Sequence, residues 1–260
     1  MLYTLSMYLL YYRKDLICML RSIVWYIVFF STLILCIPAM IRTKMLTKKG
    51  LIEKRDEVVY KTTTTWAKIL LKVAGVKVTV HGLENIPKDK NVLYIGNHQG
   101  NFDIPIYMSQ IPGLKGFVSK IEVKKIPGVR TWMEYMYCVF MDRSSLRKSS
   151  EAIIEGIKIL KNGHSLVIFP EGTRSKGDKM GEFKAGSFKL ATKSKVPIIP
   201  VTMSGSYKIM ENNKRKWIVK PTNVDLYIHP AIETSNLTKE EQDALNSKVY
   251  EIIKSKLPQT

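Results

Sequence analysis

Residues 92–103 read VLYIGNHQGNFD and give the clearest indication of the fold. Four apolar residues, Val92 to Ile95, lead through Gly96 into a polar loop that carries His98 and Asp103. A short apolar run bounded by glycine is typical of a strand buried inside a sheet. Functional loops follow the carboxyl ends of strands in α/β sheets, so the pattern predicts a strand that leads into a functional loop.

Strand-like and helix-like segments alternate on both sides of this stretch. Further strands are predicted at residues 76–80, 117–119, 138–141, 166–169, 198–202, 217–219 and 224–228. Helices are predicted at residues 58–73, 145–162 and 183–195, and a last one begins at Thr238, where Thr-Lys-Glu-Glu forms a capping box. The alternation predicts an α/β fold with a mixed, largely parallel sheet flanked by helices.

The N-terminal segment has the composition of a membrane anchor. Residues 22–41 carry no charge, and a helix of this length reaches across the roughly 30 Å of a hydrocarbon core. Pro38 can kink such a helix, and the shorter apolar run at residues 2–12 leaves open a hairpin that lies in one leaflet. We therefore expect a membrane anchor at residues 1–45, as a transmembrane helix or an in-leaflet hairpin, and an α/β domain at residues 46–260. A buried helix of a soluble domain is the alternative.

The chain is strongly basic. It has 41 Lys and Arg against 22 Asp and Glu, a net charge of +19, which predicts an anionic partner such as phospholipid headgroups, phosphorylated substrates or nucleic acid. More basic residues follow the apolar segment than precede it, so we expect the main body on the cytoplasmic face of the cell membrane. The basic runs do not interleave aromatic residues, so an anionic membrane surface is expected and nucleic acid is not.

The three cysteines are Cys18, Cys36 and Cys138. Their number and spacing fit neither a paired disulfide framework nor a metal site. We expect a reducing compartment, no structural metal and no cofactor.

His98 and Asp103 have the spacing of a catalytic pair. A short turn brings the carboxylate to one imidazole nitrogen, where it fixes the tautomer and leaves the other nitrogen to take a proton from a hydroxyl. No Ser or Cys lies in the motif and no G-x-S-x-G occurs, so the attacking oxygen would belong to the substrate. Asp103 before Ile104 and Pro105 is also typical of a helix N-cap, and a histidine near a strand end is often only packed.

A second polar loop, PEGTRS at residues 170–175, follows the strand predicted at 166–169. Gly172 permits an unusual backbone angle, and Arg174 offers a planar fork of donors that suits phosphate. Hydroxyls at Thr173 and Ser175 add further donors. An exposed turn with a solvated arginine is the alternative, but the two loops together indicate a base beside an anion clamp.

Four sequence blocks resemble, in order and spacing, those of the glycerolipid acyltransferase family, which includes enzymes that acylate 1-acyl-glycerol 3-phosphate. They are Asn97-His98 with Asp103, the stretch 119–127 with residues 140–143, the loop FPEGTRS at 169–175, and VPIIPV at 196–201. A lone H-x-x-x-x-D is a weak signal, whereas four blocks in order over about residues 75–205 are specific. An N-terminal membrane segment is also usual in this family.

The resemblance implies a glycerol-3-phosphate acyltransferase-like fold and a role for each motif residue. His98 would be the general base on the free hydroxyl of a lysophospholipid, and Asp103 its orienting partner. The acceptor would be bound by Lys120, Glu171, Gly172, Thr173 and Arg174. Acyl-CoA or acyl carrier protein would be the donor, and loop amides near His98 or in the second block would stabilise the oxyanion.

The resemblance further implies acylation of the sn-2 hydroxyl of 1-acyl-glycerol 3-phosphate, giving phosphatidic acid in phospholipid biosynthesis. Another acceptor stays open, namely glycerol 3-phosphate, a different lysophospholipid or a lyso-aminolipid. A hydrolase and an anionic-lipid-binding module are further alternatives. The sequence departs from the family before Phe140, where a glycine is common and Met136-Tyr137-Cys138 stand instead. Acceptor and chain-length preference are therefore not implied.

Overall fold

The structure, a computed structural model, describes the backbone of residues 2–258 and the side chains of residues 15–258. The α-helices are α1 (Leu2–Leu35), α2 (Ile37–Lys48), α3 (Ile52–Ala74), α4 (Asp103–Gln110), α5 (Val129–Tyr135), α6 (Leu146–Lys161), α7 (Lys189–Ser194) and α8 (Lys239–Lys254). The strands are β1 (Lys77–His81), β2 (Leu93–Gly96), β3 (Lys115–Lys120), β4 (Val139–Met141), β5 (Ser165–Ile168), β6 (Ile198–Ser204) and β7 (Asn223–Ile228). Strands and helices alternate over most of the chain, as the sequence predicts.

These strands form one sheet in the order β1-β7-β6-β2-β5-β3-β4. β2 pairs in parallel with both β5 and β6, so the strand predicted at residues 92–95 lies in the middle of the sheet. β6 and β7 run antiparallel, and the other paired strands of the described chain run parallel. The prediction of a mixed, largely parallel sheet flanked by helices is confirmed.

Helices cover both faces of the sheet. Successive residues of β2 point to opposite faces, so Tyr94 packs with α1, α3 and α4, whereas Leu93 and Ile95 pack with α6, α7 and α8. Val167 and Ile168 of β5 divide in the same way. Because both faces are buried, the central strands are apolar along their whole length, which is why their sequence shows runs rather than alternation.

Two predicted elements differ from the structure. The helix predicted at residues 183–195 consists of a 3₁₀ turn, Ala185–Phe188, followed by the short α7. The strand predicted at residues 217–219 is wrong, because partners outside any sheet bind its backbone. The carbonyl of Ile218 accepts from Asn213 Nδ2 at 2.7 Å, and the N–H of Val219 donates to Ser22 Oγ at 2.8 Å. The capping box at the start of α8 is confirmed.

The N-terminal helices pack on one face of the sheet. α1 runs from the first apolar stretch into the second and ends at Leu35, and α2 has Pro38 in its first turn. α3 returns along α1, where Trp25 Nε1 donates to the carbonyl of Leu70 and Trp66 Nε1 donates to Thr32 Oγ1, both at 3.0 Å. α1 is therefore bonded to the rest of the molecule and not only tethered to it.

The outward side of these helices is apolar and exposed. Within the described residues, Asp15–Lys48 is long and apolar enough to cross a membrane, and little of it is buried. The large apolar side chains that it leaves exposed include Leu20, Ile27, Phe30 and Ile34. An exposed apolar face of this extent is typical of contact with lipid or with another apolar surface. The division between anchor and domain at residue 45, and the choice between spanning helix and hairpin, stay predictions.

Candidate active site

The loop that carries His98 connects the end of β2 to the start of α4. Its first residue, Asn97, is buried and exchanges two hydrogen bonds with the backbone of Met203 in β6, at 2.9 and 2.8 Å. At Gly100, any side chain would collide with the carboxylate of Glu211. The bonds to β6 therefore fix the start of the loop, and glycine at residue 100 leaves room for the buried Glu211 carboxylate.

His98 and Asp103 form the predicted pair. His98 Nδ1 lies 2.7 Å from Asp103 Oδ2, and the same oxygen accepts the N–H groups of Gln99 at 2.7 Å and Gly100 at 2.9 Å. The other carboxylate oxygen accepts from the hydroxyl of Ser206. The Asp103 side chain is completely buried, whereas that of His98 is 18% exposed. With Nδ1 held in this way, Nε2 is left to take a proton from a bound hydroxyl.

Asp103 is not the N-cap that its sequence context also allows. It is the first residue of α4, and Phe102 occupies the N-cap without a side-chain bond. The Asp103 carboxylate bonds the preceding loop instead. The imidazole of His98 stacks on Phe169, with 4.2 Å between the ring centroids. Phe169 therefore supports one face of the ring, and Asp103 binds its Nδ1 edge.

The backbone N–H groups of residues 98–101 all donate to buried carboxylates. His98 donates to Glu171, and Asn101 donates to Glu211. Residues 99 and 100 both donate to Asp103. Because these amides are occupied, the expectation that loop amides beside His98 bind the oxyanion is not supported. Oxyanion donors in the second block stay a prediction.

Glu171 joins the two functional loops. Its Oε1 accepts the N–H of His98 and its Oε2 that of Gly181, both at 2.7 Å. Burial raises the pKa of the Glu171 carboxyl, and these two N–H groups act in the opposite direction. Burial likewise raises the pKa of Glu211, whose Oε2 has no hydrogen-bond partner within the described residues. Both carboxylates thus serve the conformation of the loops.

The second loop follows β5 and brings cationic groups beside the first. Gly172 has a left-handed backbone, with φ 73°, and its carbonyl accepts from Arg143 Nη1. A Cβ at this position would lie 3.1 Å from Lys184 Nζ and 3.2 Å from Arg143 Nη1, so two cations converge where glycine leaves room. Arg174 Nη1 reaches back to Asn101 Oδ1 at 2.5 Å. The His98–Asp103 pair and a group of cationic side chains therefore lie side by side.

Comparison with known proteins identifies the family to which the chain belongs. Residues 77–204 match the family model described as Acyltransferase. The chain is 35% identical over 192 residues to the 1-acyl-sn-glycerol-3-phosphate acyltransferase of Borreliella burgdorferi, a match that covers 73% of this chain and 75% of that one. The chain belongs to the acyltransferase family.

Two further members of the acyltransferase family extend this result. A probable 1-acyl-sn-glycerol-3-phosphate acyltransferase of Mycoplasma pneumoniae is 36% identical over 168 residues, which is 61% of each chain. The crystal structure of the 1-acyl-sn-glycerophosphate acyltransferase of Thermotoga maritima superimposes with a TM-score of 0.80 at 30% identity, over 93% of this chain and 95% of that one. The resemblance read from the four blocks and the fold that it implies are confirmed.

The acyltransferase fold brings most of the predicted site residues together. The residues that share the edge where β2 and β5 end are His98, Asp103, Glu171, Gly172 and Arg174. Thr173 lies in the same loop with its side chain exposed. Lys120 ends β3, the strand beside β5, and its exposed Nζ binds Glu122 at 2.8 Å, so in the described residues its ion pair is directed elsewhere. A role for Lys120 in acceptor binding stays a prediction.

Four residues of the acyltransferase site were not identified from the sequence. They are Arg143, Lys184, Ser206 and Glu211. Arg143 could have been found, since it ends the block at residues 140–143 and is an arginine beside a predicted strand. The other three lie in segments without a local signal, and only the fold brings them to the two loops.

The departure from the family pattern before Phe140 has a structural counterpart. Tyr137 has φ 62°, a left-handed conformation that glycine adopts most easily. Its hydroxyl donates to Asp56 Oδ2 at 2.9 Å, and the guanidinium of Arg55 lies 4.6 Å from its ring centroid. Contacts with α3 thus offset the strain that a glycine would avoid.

Beside the site lies an apolar cavity of about 260 Å³. Side chains from α1, α3, α4, α5 and β3 line it, among them Leu33, Trp66, Ile104, Met108 and Phe117. Ile104 directly follows Asp103 in α4, so one wall of the cavity belongs to the helix that carries the catalytic carboxylate. The cavity can hold an apolar chain close to the reacting groups.

Cys18, Cys36 and Cys138 are free thiols, and burial raises the pKa of Cys138 to about 12. At neutral pH this thiol is protonated and is a poor nucleophile. Within the described residues, no three His, Cys, Asp or Glu side chains cluster in a way that could hold a metal ion.

Proposed function

We propose that this acyltransferase moves a fatty acyl chain from acyl-CoA or acyl carrier protein to the sn-2 hydroxyl of 1-acyl-glycerol 3-phosphate. The product would be phosphatidic acid, in phospholipid biosynthesis. The observation that carries the proposal is the His98–Asp103 pair beside the loop of Arg174. The names of the relatives from B. burgdorferi and T. maritima support this acceptor.

The reaction needs one base and no protein nucleophile. Nε2 of His98 takes the proton of the acceptor hydroxyl while its oxygen attacks the thioester carbonyl carbon. The tetrahedral intermediate collapses, the carbon–sulfur bond breaks, and the leaving thiolate takes the proton from the imidazolium. Asp103 is already bonded to Nδ1, so it fixes the tautomer and stabilises the imidazolium while the proton is held there.

The phosphate of the acceptor would bind the cations of the second loop. Arg174 Nη1 is bonded to Asn101 and lies 3.4 Å from Glu211 Oε1, and a phosphate would take over part of this fork of donors. Arg143 and Lys184 converge over Gly172 in the same loop. A phosphate monoester carries more negative charge than a diester, so these cations favour an acceptor with a terminal phosphate.

The lipid character of the substrates has support on the other side of the site. The apolar cavity would remove a fatty chain from water next to α4. The exposed apolar face of α1 would contact lipid, and basic residues follow it in and just after α2, namely Arg42, Lys44, Lys48 and Lys49. We place the enzyme at the cell membrane with its α/β domain on the cytoplasmic face, because such basic residues favour that side and an anionic lipid surface.

A panel of acceptors tests the acceptor class. Purified protein is offered 1-acyl-glycerol 3-phosphate, glycerol 3-phosphate, a lysophospholipid with a larger headgroup and a lyso-aminolipid, each with palmitoyl-CoA and with palmitoyl carrier protein. We expect phosphatidic acid from the first acceptor at the highest kcat/KM. Faster transfer to another acceptor contradicts the proposal, and palmitate release that no acceptor accelerates indicates a hydrolase.

Arg174 tests the phosphate site separately. Arg174→Ala is expected to raise KM for 1-acyl-glycerol 3-phosphate by roughly tenfold to a hundredfold, as for the loss of a charge-assisted bond. Arg147→Ala is the matched control, because Arg147 is exposed, paired with Glu151 at 3.1 Å and outside the two loops. Equal KM values for the two variants would contradict this assignment.

A further inference from the structure

A second hollow, here called the basic groove, lies on the face of the sheet opposite the apolar cavity. Its volume is about 760 Å³, and it runs between α6 and the segment from residue 184 to residue 193, over the ends of β3, β4 and β5. Phe169 and Gly172 line one end of it. Because the ring of Phe169 stacks on His98, this end opens beside the catalytic pair.

The groove leads away from the catalytic edge. α6 and α7 each follow the carboxyl end of one strand and lead back to the amino end of the next, so both run away from that edge. Ile153 and Ile157 of α6, and Lys189 and Lys193 of α7, line it at successive turns, about 6 Å apart within each pair. A ligand in the groove is therefore extended, with one end near His98 and the other near Lys193.

Basic side chains line the groove and carboxylates do not. The four basic residues are Arg143, Lys184, Lys189 and Lys193, and all are exposed. Within the described residues, none of the four forms an ion pair, whereas Lys90 and Lys148, which do not line the groove, each bind a carboxylate at 2.8 Å. Unpaired cations around one groove attract a ligand with several negative charges.

The surface between the cations is mixed. Ile153, Ile157 and Met141 contribute apolar area, and Ser149 and Ser150 contribute hydroxyls. A fatty chain cannot pair with the hydroxyls and cations, and a free phosphate cannot cover the apolar area. A ligand arm that alternates amide and methyl groups and ends in phosphates matches the hydroxyls, the apolar area and the cations.

We propose that the basic groove binds the coenzyme A part of the acyl donor, an inference that rests on the proposed function. The pantetheine arm lies along Ile153 and Ile157, the nucleotide phosphates bind Lys189 and Lys193, and the thioester reaches the catalytic pair past Phe169. The acyl chain and its carrier then occupy opposite faces of the sheet. A carrier protein would bring fewer phosphates into the groove than coenzyme A, whose nucleotide end carries several for the unpaired cations.

Charge reversal at the far end tests the proposal. Lys189→Glu/Lys193→Glu is expected to raise KM for palmitoyl-CoA about tenfold or more, with little change in kcat or in KM for 1-acyl-glycerol 3-phosphate. Lys77→Glu/Lys248→Glu is the matched control, since both lysines are exposed and lie outside the groove and the net charge changes equally. An unchanged KM for palmitoyl-CoA, or a rise in the acceptor KM alone, overturns the proposal.

A second donor identifies what the lysines bind. Palmitoyl-pantetheine carries no phosphate, so its KM should be the same with the wild-type protein and with the Lys189→Glu/Lys193→Glu variant. A loss that persists with this donor overturns the assignment of the phosphates. A variant that impairs transfer from palmitoyl carrier protein and not from palmitoyl-CoA shows a protein carrier as the occupant and overturns it as well.

Binding of coenzyme A itself separates this proposal from the proposed function. Calorimetry on the full chain in detergent needs no acceptor and no turnover. Binding that the double reversal weakens about tenfold, and the control does not, supports the groove even if 1-acyl-glycerol 3-phosphate is not the acceptor. Equal binding by both variants overturns the groove even if phosphatidic acid is formed.

Discussion

Two histidines, His98 and His81, each have a carboxylate partner and an aromatic ring stacked against the imidazole. His81, at the end of β1, has Nε2 at 2.9 Å from Asp225 Oδ1, and its ring stacks on Tyr227 with 4.3 Å between centroids. The two histidines are thus close matches in their immediate contacts. They differ in the burial of the carboxylate and in the groups that donate to it.

The carboxylates show the difference most clearly. The side chain of Asp103 is 0% exposed and accepts bonds from two loop amides and a hydroxyl as well as from the imidazole. The side chain of Asp225 is 46% exposed, and in the described residues its hydrogen bond is to His81. Buried donors to the carboxylate and the neighbouring loop of residues 170–175 therefore distinguish the His98–Asp103 pair from the His81–Asp225 pair.

Replacing the two histidines should separate them by the largest factor. His98→Ala is expected to lower kcat by roughly 10² to 10⁴, because the general base is lost. His81→Ala should leave kcat within about twofold, since no binding loop adjoins it. Initial rates of phosphatidic acid formation, with matched thermal midpoints, give the comparison. Equal rates for the two variants would show that His98 is not the base, as expected of a lipid-binding module.

Replacing the two aspartates should have the next largest effect. Asp103→Asn turns one acceptor oxygen into a donor that faces either the imidazole with its two N–H groups or the Ser206 hydroxyl. We therefore expect kcat to fall by roughly 10² or more and the free energy of unfolding by about 1–3 kcal/mol. Asp225→Asn should cost less than about 1 kcal/mol, because exposed pairs contribute little. Denaturant unfolding measures both. A loss of stability that is the same for the two variants contradicts the contrast.

Ser206→Ala should have a smaller effect. It removes the hydroxyl that donates to Asp103, so we expect a loss of about 1 kcal/mol in stability and a fall of a few-fold in kcat. Ser247→Ala, on the exposed side of α8, is the matched control. If kcat is unchanged in both variants, the second carboxylate oxygen has no part in positioning His98.

The smallest effect concerns the pH dependence of stability at Glu171. Burial raises its pKa in the folded state, so between the ordinary glutamate value and this raised value the folded state binds more protons than the unfolded state. Stability from this group is thus highest at low pH and falls as the pH rises through that window. The stability of the wild type relative to Glu171→Gln should fall likewise, by at most about 1.4 kcal/mol per pH unit. A difference that does not vary with pH contradicts this, and exposed Glu182→Gln is the control.

The part of the site that the sequence predicts is local in the chain. His98 lies five residues from Asp103, and Gly172 and Arg174 lie in one loop, so residue type and spacing suffice to find them. Ser206 and Glu211 lie 103 and 110 residues from the positions that they bind. Their place depends on the parallel pairing of β2 with β6, which no local pattern specifies.

The fold shows the same difference between features set by local sequence and features set by contacts between distant residues. The apolar runs of β2 and β5 predict buried strands correctly, because strands covered on both faces need apolar residues throughout. The run at residues 217–219 has a similar composition and is not a strand, since Ser22 and Asn213 satisfy its backbone. Lys120 matches a family block by spacing, yet it lies in β3, which β5 separates from β2.

The bonds of Trp25 and Trp66 between α1 and α3 have a consequence for how such enzymes diverge. Leu33 and Cys36 line the apolar cavity, so the segment with the exposed apolar face also forms a wall of that cavity. An exchange of the first 45 residues between relatives would therefore alter the cavity together with the exposed face. Under the proposed function, selection for contact with lipid and selection for substrate act on the same residues.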